Sequence, residues 1–154
     1  MFLLKPDGVP MYLNDAFYEL TGVKKVDVET DSIAPGFWGR SIMDEDRDAV
    51  RASWAKLIRD KQPISFEYRG MKAWVSADGT ATGDFWLRAM AYPEINPTDD
   101  SIVGIQGWLE NVSVQKYTEK MQAKRLEEAL EHKRQSEAFI DMTSHEVTIL
   151  SFKC

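Results

Sequence analysis

The sequence predicts an α+β fold, in which an antiparallel sheet packs against helices on one face and a long helix follows. A strand–turn–strand pattern opens the chain. An amphipathic helix candidate then precedes three strand candidates joined by short turns, and this order favours an antiparallel meander. Residues 114–137 contain no glycine or proline and are rich in charge, which is typical of an exposed helix.

The composition is that of a globular protein with one domain and an appended segment. The chain has 154 residues, of which 44% are hydrophobic and 29% charged. Its net charge of −6 argues against nucleic acid as the main partner. Apolar runs such as residues 1–4 are too short for a membrane span or a signal peptide. The only cysteine is Cys154, so no internal disulfide can form, and we expect a cytoplasmic protein.

The first segment is predicted to be a hairpin followed by a short helix. Asp7 and Gly8 supply a turn, because glycine adopts positive φ without steric cost. Asn14 can cap a helix that ends at Gly22. Residues 23–40 show no period, and we predict irregular chain with at most one helical turn.

The main helix is predicted to begin at Asp44 and to end before Pro63. Acidic residues in its first turn suit the helix dipole. An apolar stripe for burial against the sheet has the spacing i, i+4, i+7 and i+8. The stripe consists of Val50, Trp54, Leu57 and Ile58.

Three strands are predicted after this helix, at residues 64–69, 85–92 and 102–112. A loop or hairpin tip is expected where Asp78-Gly79 and Gly83-Asp84 occur, and another turn is expected at 96–100. The last strand places Val103, Ile105, Gly107 and Leu109 on one face and Gln106, Trp108 and Glu110 on the other. Trp108 is predicted either to be half-buried or to be an exposed anchor for another segment or subunit. The residues expected to fill the core, rather than to recognise a ligand, are Phe17, Trp54, Phe66, Phe85 and Leu87.

The charged helix carries only a thin apolar seam, so it is predicted to need a partner chain. About thirty helical residues span roughly 45 Å, and such a helix is marginal alone. The step from Met121 to Leu126 breaks a strict heptad, while Lys133 and Glu137 would lie on the seam. We therefore predict a marginal parallel coiled coil with a stutter, forming a homodimer.

Residues 1–113 resemble a PAS domain in three stretches. Residues 12–22 resemble the opening of that fold, residues 43–47 the acidic start of its main helix, and residues 107–113 its last strand and exit motif. In that exit motif Asn111 replaces an acidic residue and Ser113 replaces a threonine. The resemblance implies that Asn111 and Ser113 couple the domain to the helix, with weaker charge-based coupling.

Residues 139–146 resemble the phosphoacceptor segment, or H-box, of sensor histidine kinases, and the tail is most similar to fungal hybrid histidine kinases. The resemblance implies that residues 114–138 form a signalling linker. It also implies that His145 is the phosphorylated histidine and that Glu146 orients it or accepts its proton. The chemistry is reasonable, since a neutral imidazole nitrogen is a competent nucleophile near neutral pH.

The tail at residues 147–154 departs from that family, which continues with a basic residue, an asparagine or threonine, and a proline. No Gly-rich phosphate loop occurs in the sequence. We expect that this polypeptide does not phosphorylate itself and acts with the ATP-binding and receiver domains of a parent kinase. We also expect a fragment, with a truncated first strand and a read-through of an exon boundary after Glu146.

Comparison with PAS cofactor sites gives no haem or flavin signature. A flavin light sensor needs a cysteine near the ring, and a haem-binding PAS domain commonly uses a histidine of the main helix. Residues 1–131 contain neither residue type. No metal site is expected, His132 is expected to be a solvated helix residue, and a small apolar ligand in the PAS core remains open.

Two functions follow from these expectations. The first is a PAS sensory fragment of a histidine kinase phosphorelay, which transmits a stimulus through the helix to His145. The alternative is a stand-alone PAS module for protein interaction or dimerisation, without phosphotransfer.

Overall fold

The computed structural model describes the backbone of residues 1–30 and 36–153 and the side chains of residues 1–30 and 36–144. The chain divides into two compact units, Met1–Val114 and Gln115–Cys154. No described helix is both long and apolar enough to cross a membrane.

Within the described residues, the first unit contains one antiparallel sheet, which confirms the predicted α+β class. The strand order is β2-β1-β5-β4-β3. Each neighbouring pair is antiparallel. The strands are β1 (Phe2–Leu4), β2 (Pro10–Leu13), β3 (Ile64–Val75), β4 (Thr82–Ile95) and β5 (Ile102–Asn111).

The opening hairpin has the predicted turn. Gly8 has φ 85°, a conformation that glycine adopts without cost, and the Lys5 amide donates to the Val9 carbonyl at 2.8 Å. Pro10 lies in β2, an edge strand, where its missing amide hydrogen is tolerated. The hairpin therefore leaves β1 in the interior of the sheet, between β2 and β5.

The helices include two that the sequence pattern did not predict. Irregular chain was expected at residues 23–40, and this prediction is wrong in part because that segment contains two short helices. They are too short for a 3.6-residue period to show, and the second forms around buried Phe37 and Trp38. The helices are α1 (Asp15–Thr21), α2 (Lys25–Thr30), α3 (Gly36–Gly39), α4 (Asp44–Asp60) and α5 (Ser113–Lys153).

The ends of α1 and α4 confirm the predicted boundaries. The Asn14 side chain accepts a hydrogen bond from the Phe17 amide at 3.0 Å, and Gly22 ends α1 with φ 73°. Helix α4 begins at Asp44 and is capped at its end by Lys61, a left-handed residue with φ 53°. Pro63 lies just beyond this cap, where it cannot interrupt helical hydrogen bonds.

The core lies between the sheet and the helices and is rich in aromatic rings. Trp38 makes edge contacts with Phe2, Phe17 and Trp54 at centroid distances of 5.1, 5.4 and 5.5 Å. Its indole nitrogen donates to the Tyr68 hydroxyl at 3.0 Å, and burial raises the pKa of that phenol. The predicted stripe of α4 is only partly buried, since Val50 and Leu57 are inside while Ile58 is 41% exposed.

Two predictions in the sheet are wrong in detail. Residues 83–84 lie in β4 rather than in a turn, and the hairpin tip is at Gly79, with φ 73°. Val103 is exposed rather than on the buried face of β5 with Ile105 and Gly107. The reason is a bulge: Glu94 pairs with Gly104 and Ile95 with Ile102, so Val103 has no opposite residue.

Candidate functional site

The start of α5 is attached to the sheet through Ser113. The Trp86 amide donates to Ser113 Oγ at 2.9 Å, and that hydroxyl lies 3.4 Å from the Trp86 carbonyl oxygen, to which it can donate. The neighbouring Val112 amide donates to the same carbonyl at 3.0 Å. Ser113 is almost fully buried. One backbone position of β4 therefore holds the first residue of α5.

Asn111 shapes the turn that leads from β5 into this helix. Its side-chain oxygen accepts a hydrogen bond from the Ser113 amide at 3.0 Å. An amide oxygen can make this bond as a carboxylate would, but it brings no charge. The structure thus places both predicted coupling residues, Asn111 and Ser113, at one junction.

A second polar contact joins α4 to the sheet. The carboxylate of Asp46 accepts from the Arg69 amide at 2.7 Å and from the guanidinium Nε at 3.0 Å and Nη2 at 2.7 Å. The hydrogen bonds from the Arg69 side chain hold the pKa of Asp46 below its usual value. Both side chains are shielded from solvent, at 18% exposed for Asp46 and 27% for Arg69. This bidentate pair fixes the N-terminal turn of α4 against β3.

The outer face of the sheet carries a charged row and an aromatic pair. Arg88 lies 2.9 Å from Glu67 and 3.4 Å from Glu110, so three adjacent strands are linked. Tyr92 and Trp108 stack with ring centroids 5.2 Å apart. Trp108 is 45% exposed, so about half of its surface is open to solvent, and its role as an anchor stays a prediction.

A cavity of about 290 Å³ lies beside α4 and is mostly apolar in lining. Arg47 and Arg51 also border it, but each guanidinium lies 2.9 Å from an acidic residue of its own helix, Asp44 and Asp48. The cavity thus offers aromatic and aliphatic surface to a small neutral molecule. Its apolar lining includes Leu4, Trp38, Val50, Trp54, Ile58 and Ile105. Of the predicted packing residues Trp54 borders this space, while Phe17, Phe85 and Leu87 are buried and Phe66 is half-buried. Among the described residues, no group of three histidine, cysteine, aspartate or glutamate residues is placed to hold a metal ion.

The predicted phosphoacceptor lies at the far end of α5. Positions 145 and 146 belong to the helix, but the side chains of His145 and Glu146 lie outside the described residues, and their roles stay predictions. His132 is exposed, as expected, and Phe139 is 69% exposed.

Trp86, at the junction, and Arg69, in the contact between α4 and the sheet, were not singled out from the sequence. Asp46 and Arg69 are 23 residues apart, so no helical or strand period relates them. The sequence contains only an indirect signal for Arg69. An arginine in an alternating strand needs an acidic partner when it is half-buried, but the sequence does not show which acidic residue that is.

The family comparison agrees with this architecture. The sequence profile of the PAS fold family matches residues 10–109. No curated protein matches the chain significantly.

Several solved structures share the fold at low sequence identity. A sensory box histidine kinase/response regulator from Burkholderia thailandensis E264 is 21% identical, with 82% of this chain and 86% of that chain covered and a TM-score of 0.57. A domain of a histidine kinase from Haloarcula marismortui, named for light and redox sensing, is 16% identical, with 73% and 87% covered and a TM-score of 0.56. The N-terminal domain of a diguanylate cyclase with a PAS/PAC sensor from Marinobacter aquaeolei is 14% identical, with 75% and 95% covered and a TM-score of 0.57. With the profile spanning most of the first unit, the chain belongs to the PAS fold family.

Proposed function

We propose that this chain is the sensory and signal-transmitting part of a cytoplasmic histidine kinase phosphorelay, in which the PAS domain controls the presentation of His145. The observation that supports this proposal most is the position of Ser113. The residue is hydrogen-bonded to β4 and is also the first residue of α5. Because that helix extends to Lys153, position 145 belongs to the same helix.

Transmission begins with a small change in strand packing near residues 109–113. A stimulus that alters this junction would rotate α5 or shift its register against a partner helix. The seam of α5 is thin, with Leu126 and Leu130 exposed. Such a seam suits two packings of nearly equal free energy, which a switch requires.

The chemical step is phosphoryl transfer to the His145 imidazole. A ring nitrogen attacks the γ-phosphorus of ATP held by a separate ATP-binding domain. A nitrogen–phosphorus bond forms, the bond to the bridging oxygen breaks, ADP leaves, and the imidazole loses a proton. Glu146 is the residue proposed to orient the ring or to accept that proton.

The test is labelling of the purified chain with γ-labelled ATP and the ATP-binding domain of a histidine kinase. We expect acid-labile label on the wild-type chain, none on His145→Gln, and full label on His132→Gln. His132 is a matched control, because it is the other histidine of the chain and lies on the same helix. Equal labelling of both variants would contradict the proposal.

A stand-alone interaction module is the second candidate, favoured by the exposed Trp108 and its stacking on Tyr92. A partly exposed aromatic pair is a typical anchor for a protein partner. This function predicts no label on His145 under any condition. It also predicts that Trp108→Ala abolishes binding to the partner, while Tyr12→Ala, at another exposed aromatic, has little effect.

A further inference from the structure

We infer that Asp46, Arg69 and Trp86 couple helix α4 to the start of helix α5, so that these three residues position Ser113. The signalling meaning of this coupling rests on the proposed function, while the coupling itself is a property of the folded first unit. None of the three was predicted to have this role.

The first step of the coupling is the clamp between Asp46 and Arg69. Three hydrogen bonds of 2.7–3.0 Å reach one carboxylate, two from the guanidinium and one from the Arg69 backbone. Charge-assisted bidentate pairs fix both orientation and distance. A displacement of the first turn of α4 therefore acts on both the backbone and the side chain of Arg69 in β3.

The second step leads from Arg69 to Trp86. The two residues are directly paired across β3 and β4. The guanidinium carbon of Arg69 lies 5.7 Å from the centroid of the Trp86 ring, within the range of a cation–π contact. Rotation or release of the Arg69 guanidinium would remove this cation–π contact with the Trp86 ring.

The third step leads from Trp86 to α5 through the backbone. The Trp86 amide and carbonyl are the partners of Ser113 Oγ and of the Val112 amide. A change at Trp86 thus changes the geometry of the residues at which α5 begins. Trp86 therefore contacts Arg69 through its ring and Ser113 through its backbone, and it joins the two halves of the route.

The input end of this route adjoins the cavity. Arg47, which follows Asp46 in α4, borders the cavity, as do Val50 and Trp54 further along the helix. A molecule that enters or leaves this space would move α4, and the Asp46 carboxylate would transfer that movement to β3. Every step of this route is a physical contact, and the exchange experiment measures whether these contacts carry energetic coupling.

The test is amide hydrogen exchange of the full chain, comparing Asp46→Asn with Asp48→Asn. Both variants remove one negative charge from α4, but Asp48 is exposed and pairs with Arg51 instead. We expect Asp46→Asn to speed exchange at the amides of Trp86 and Val112 by about tenfold, since a hydrogen bond to a charged group contributes enough stability for such a change. Asp48→Asn should leave both rates unchanged.

The Arg69→Lys variant adds a second measurement that preserves charge. Lysine keeps the positive charge but loses the bidentate fork and the planar stacking, so the same two amides should again exchange faster. The amide of Lys5, in the opening hairpin, is the internal reference. Equal acceleration at Lys5 would show general destabilisation and would overturn the inference, as would unchanged exchange at Trp86 and Val112.

This test separates the inference from the proposed function. If His145 is labelled and the exchange rates do not respond, the coupling through Arg69 fails and the function stands. If the rates respond and His145 is never labelled, the coupling stands as a structural property and the phosphorelay role fails.

Discussion

Gly107 is a residue where the sheet tolerates no side chain. A Cβ built there would lie deep inside van der Waals contact with the Phe2 ring and the Met90 carbonyl oxygen. Phe2 is fully buried and cannot easily move away. We expect Gly107→Ala to lower the free energy of unfolding by roughly 2–3 kcal/mol, as overpacking does.

The measurement for Gly107 is urea unfolding, with Gly104→Ala as the control on the same strand. A Cβ at Gly104 would meet Glu94 Oε2 at 3.5 Å and the Leu4 carbonyl at 3.7 Å, which are ordinary contacts. We therefore expect this control to change stability far less. Equal effects of the two variants would refute the steric explanation.

Asp46 gives the second residue-scale prediction, which concerns pH. Its folded-state pKa is lowered, chiefly by the Arg69 side chain. Its contribution to stability is therefore fully present above the unfolded-state pKa and is lost as pH falls through the lower folded-state value. In that acidic pH range, the free energy of unfolding of the wild type should fall more steeply than that of Asp46→Asn.

The comparison with Asp46→Asn is needed because other carboxyls behave similarly. Hydrogen bonds from Ser76 and Thr80 lower the pKa of Asp78 to about 2, and the pKa values of Asp60 and Asp99 are also lowered. The difference between the two unfolding curves, measured against pH, isolates Asp46. Parallel curves would show that its bond to Arg69 adds no pH-dependent stability.

Contacts between neighbours in the sequence could be predicted, whereas contacts made by tertiary packing could not. Asn14 and Gly22 were predicted as helix ends because caps act on neighbouring backbone groups. Ser113 was identified by resemblance to a family. Its partner Trp86 was not identified, because the pairing of β4 with β5 determines which residue of β4 lies beside Ser113. The clamp of Asp46 and Arg69 depends on tertiary packing, and the acidic first turn of α4 gave only the dipole explanation.

Helix α5 is the element that we expect to depend most on a partner chain for its stability. Leu126, Leu130 and Ile140 are all at least half exposed, at 62%, 50% and 60%. The ion pair of Lys133 and Glu137, 3.9 Å apart, is exposed and adds little. We expect a parallel dimer that buries the apolar residues of the seam.

Leu130→Glu is expected to weaken self-association at least tenfold, or about 1.4 kcal/mol, because a charge would enter the seam of both chains. Sedimentation equilibrium measures this change. Gln135→Glu is the matched control, since it adds the same charge on the opposite side of the helix. A wild-type chain that stays monomeric at micromolar concentration would contradict the coiled-coil prediction.

At the scale of elements, sequence periodicity succeeded where a segment was long. Helix α4 and the three long strands were found, although β3 and β4 extend further than predicted. Helices α2 and α3 were missed because such short segments show no helical period. The exposed Val103 was missed because one extra residue in a strand reverses the face of its neighbours.

The division of the molecule into two units gives a prediction for unfolding. All five tryptophans lie in Met1–Val114, so their fluorescence reports the first unit alone. Far-ultraviolet circular dichroism reports all the helices, and α5, with 41 residues, contributes more to the signal than the other four described helices together. If the helix depends on a partner chain as proposed, the midpoint of its unfolding transition shifts with protein concentration, while the midpoint followed by fluorescence stays fixed.

Leu130→Glu serves again as the control for this whole-molecule prediction. This variant should lower the midpoint of the unfolding transition that circular dichroism follows. The midpoint of the transition that fluorescence follows should not change. Coincident transitions at every concentration would show that the chain unfolds as one cooperative body. Fold class was predictable from composition and pattern, whereas the independence of the two units in unfolding depends on contact energies that no sequence pattern gives.

Because Ser113 is bonded to main-chain atoms of Trp86, the two positions differ in which substitutions preserve these hydrogen bonds. Every amino acid except proline supplies the same amide and carbonyl at position 86. At position 113 these bonds need a hydroxyl, which serine and threonine carry and valine lacks. For these two hydrogen bonds alone, the side chain at position 86 is free to vary and the requirement falls on the Ser113 hydroxyl oxygen, whereas the contact with Arg69 still requires the Trp86 ring.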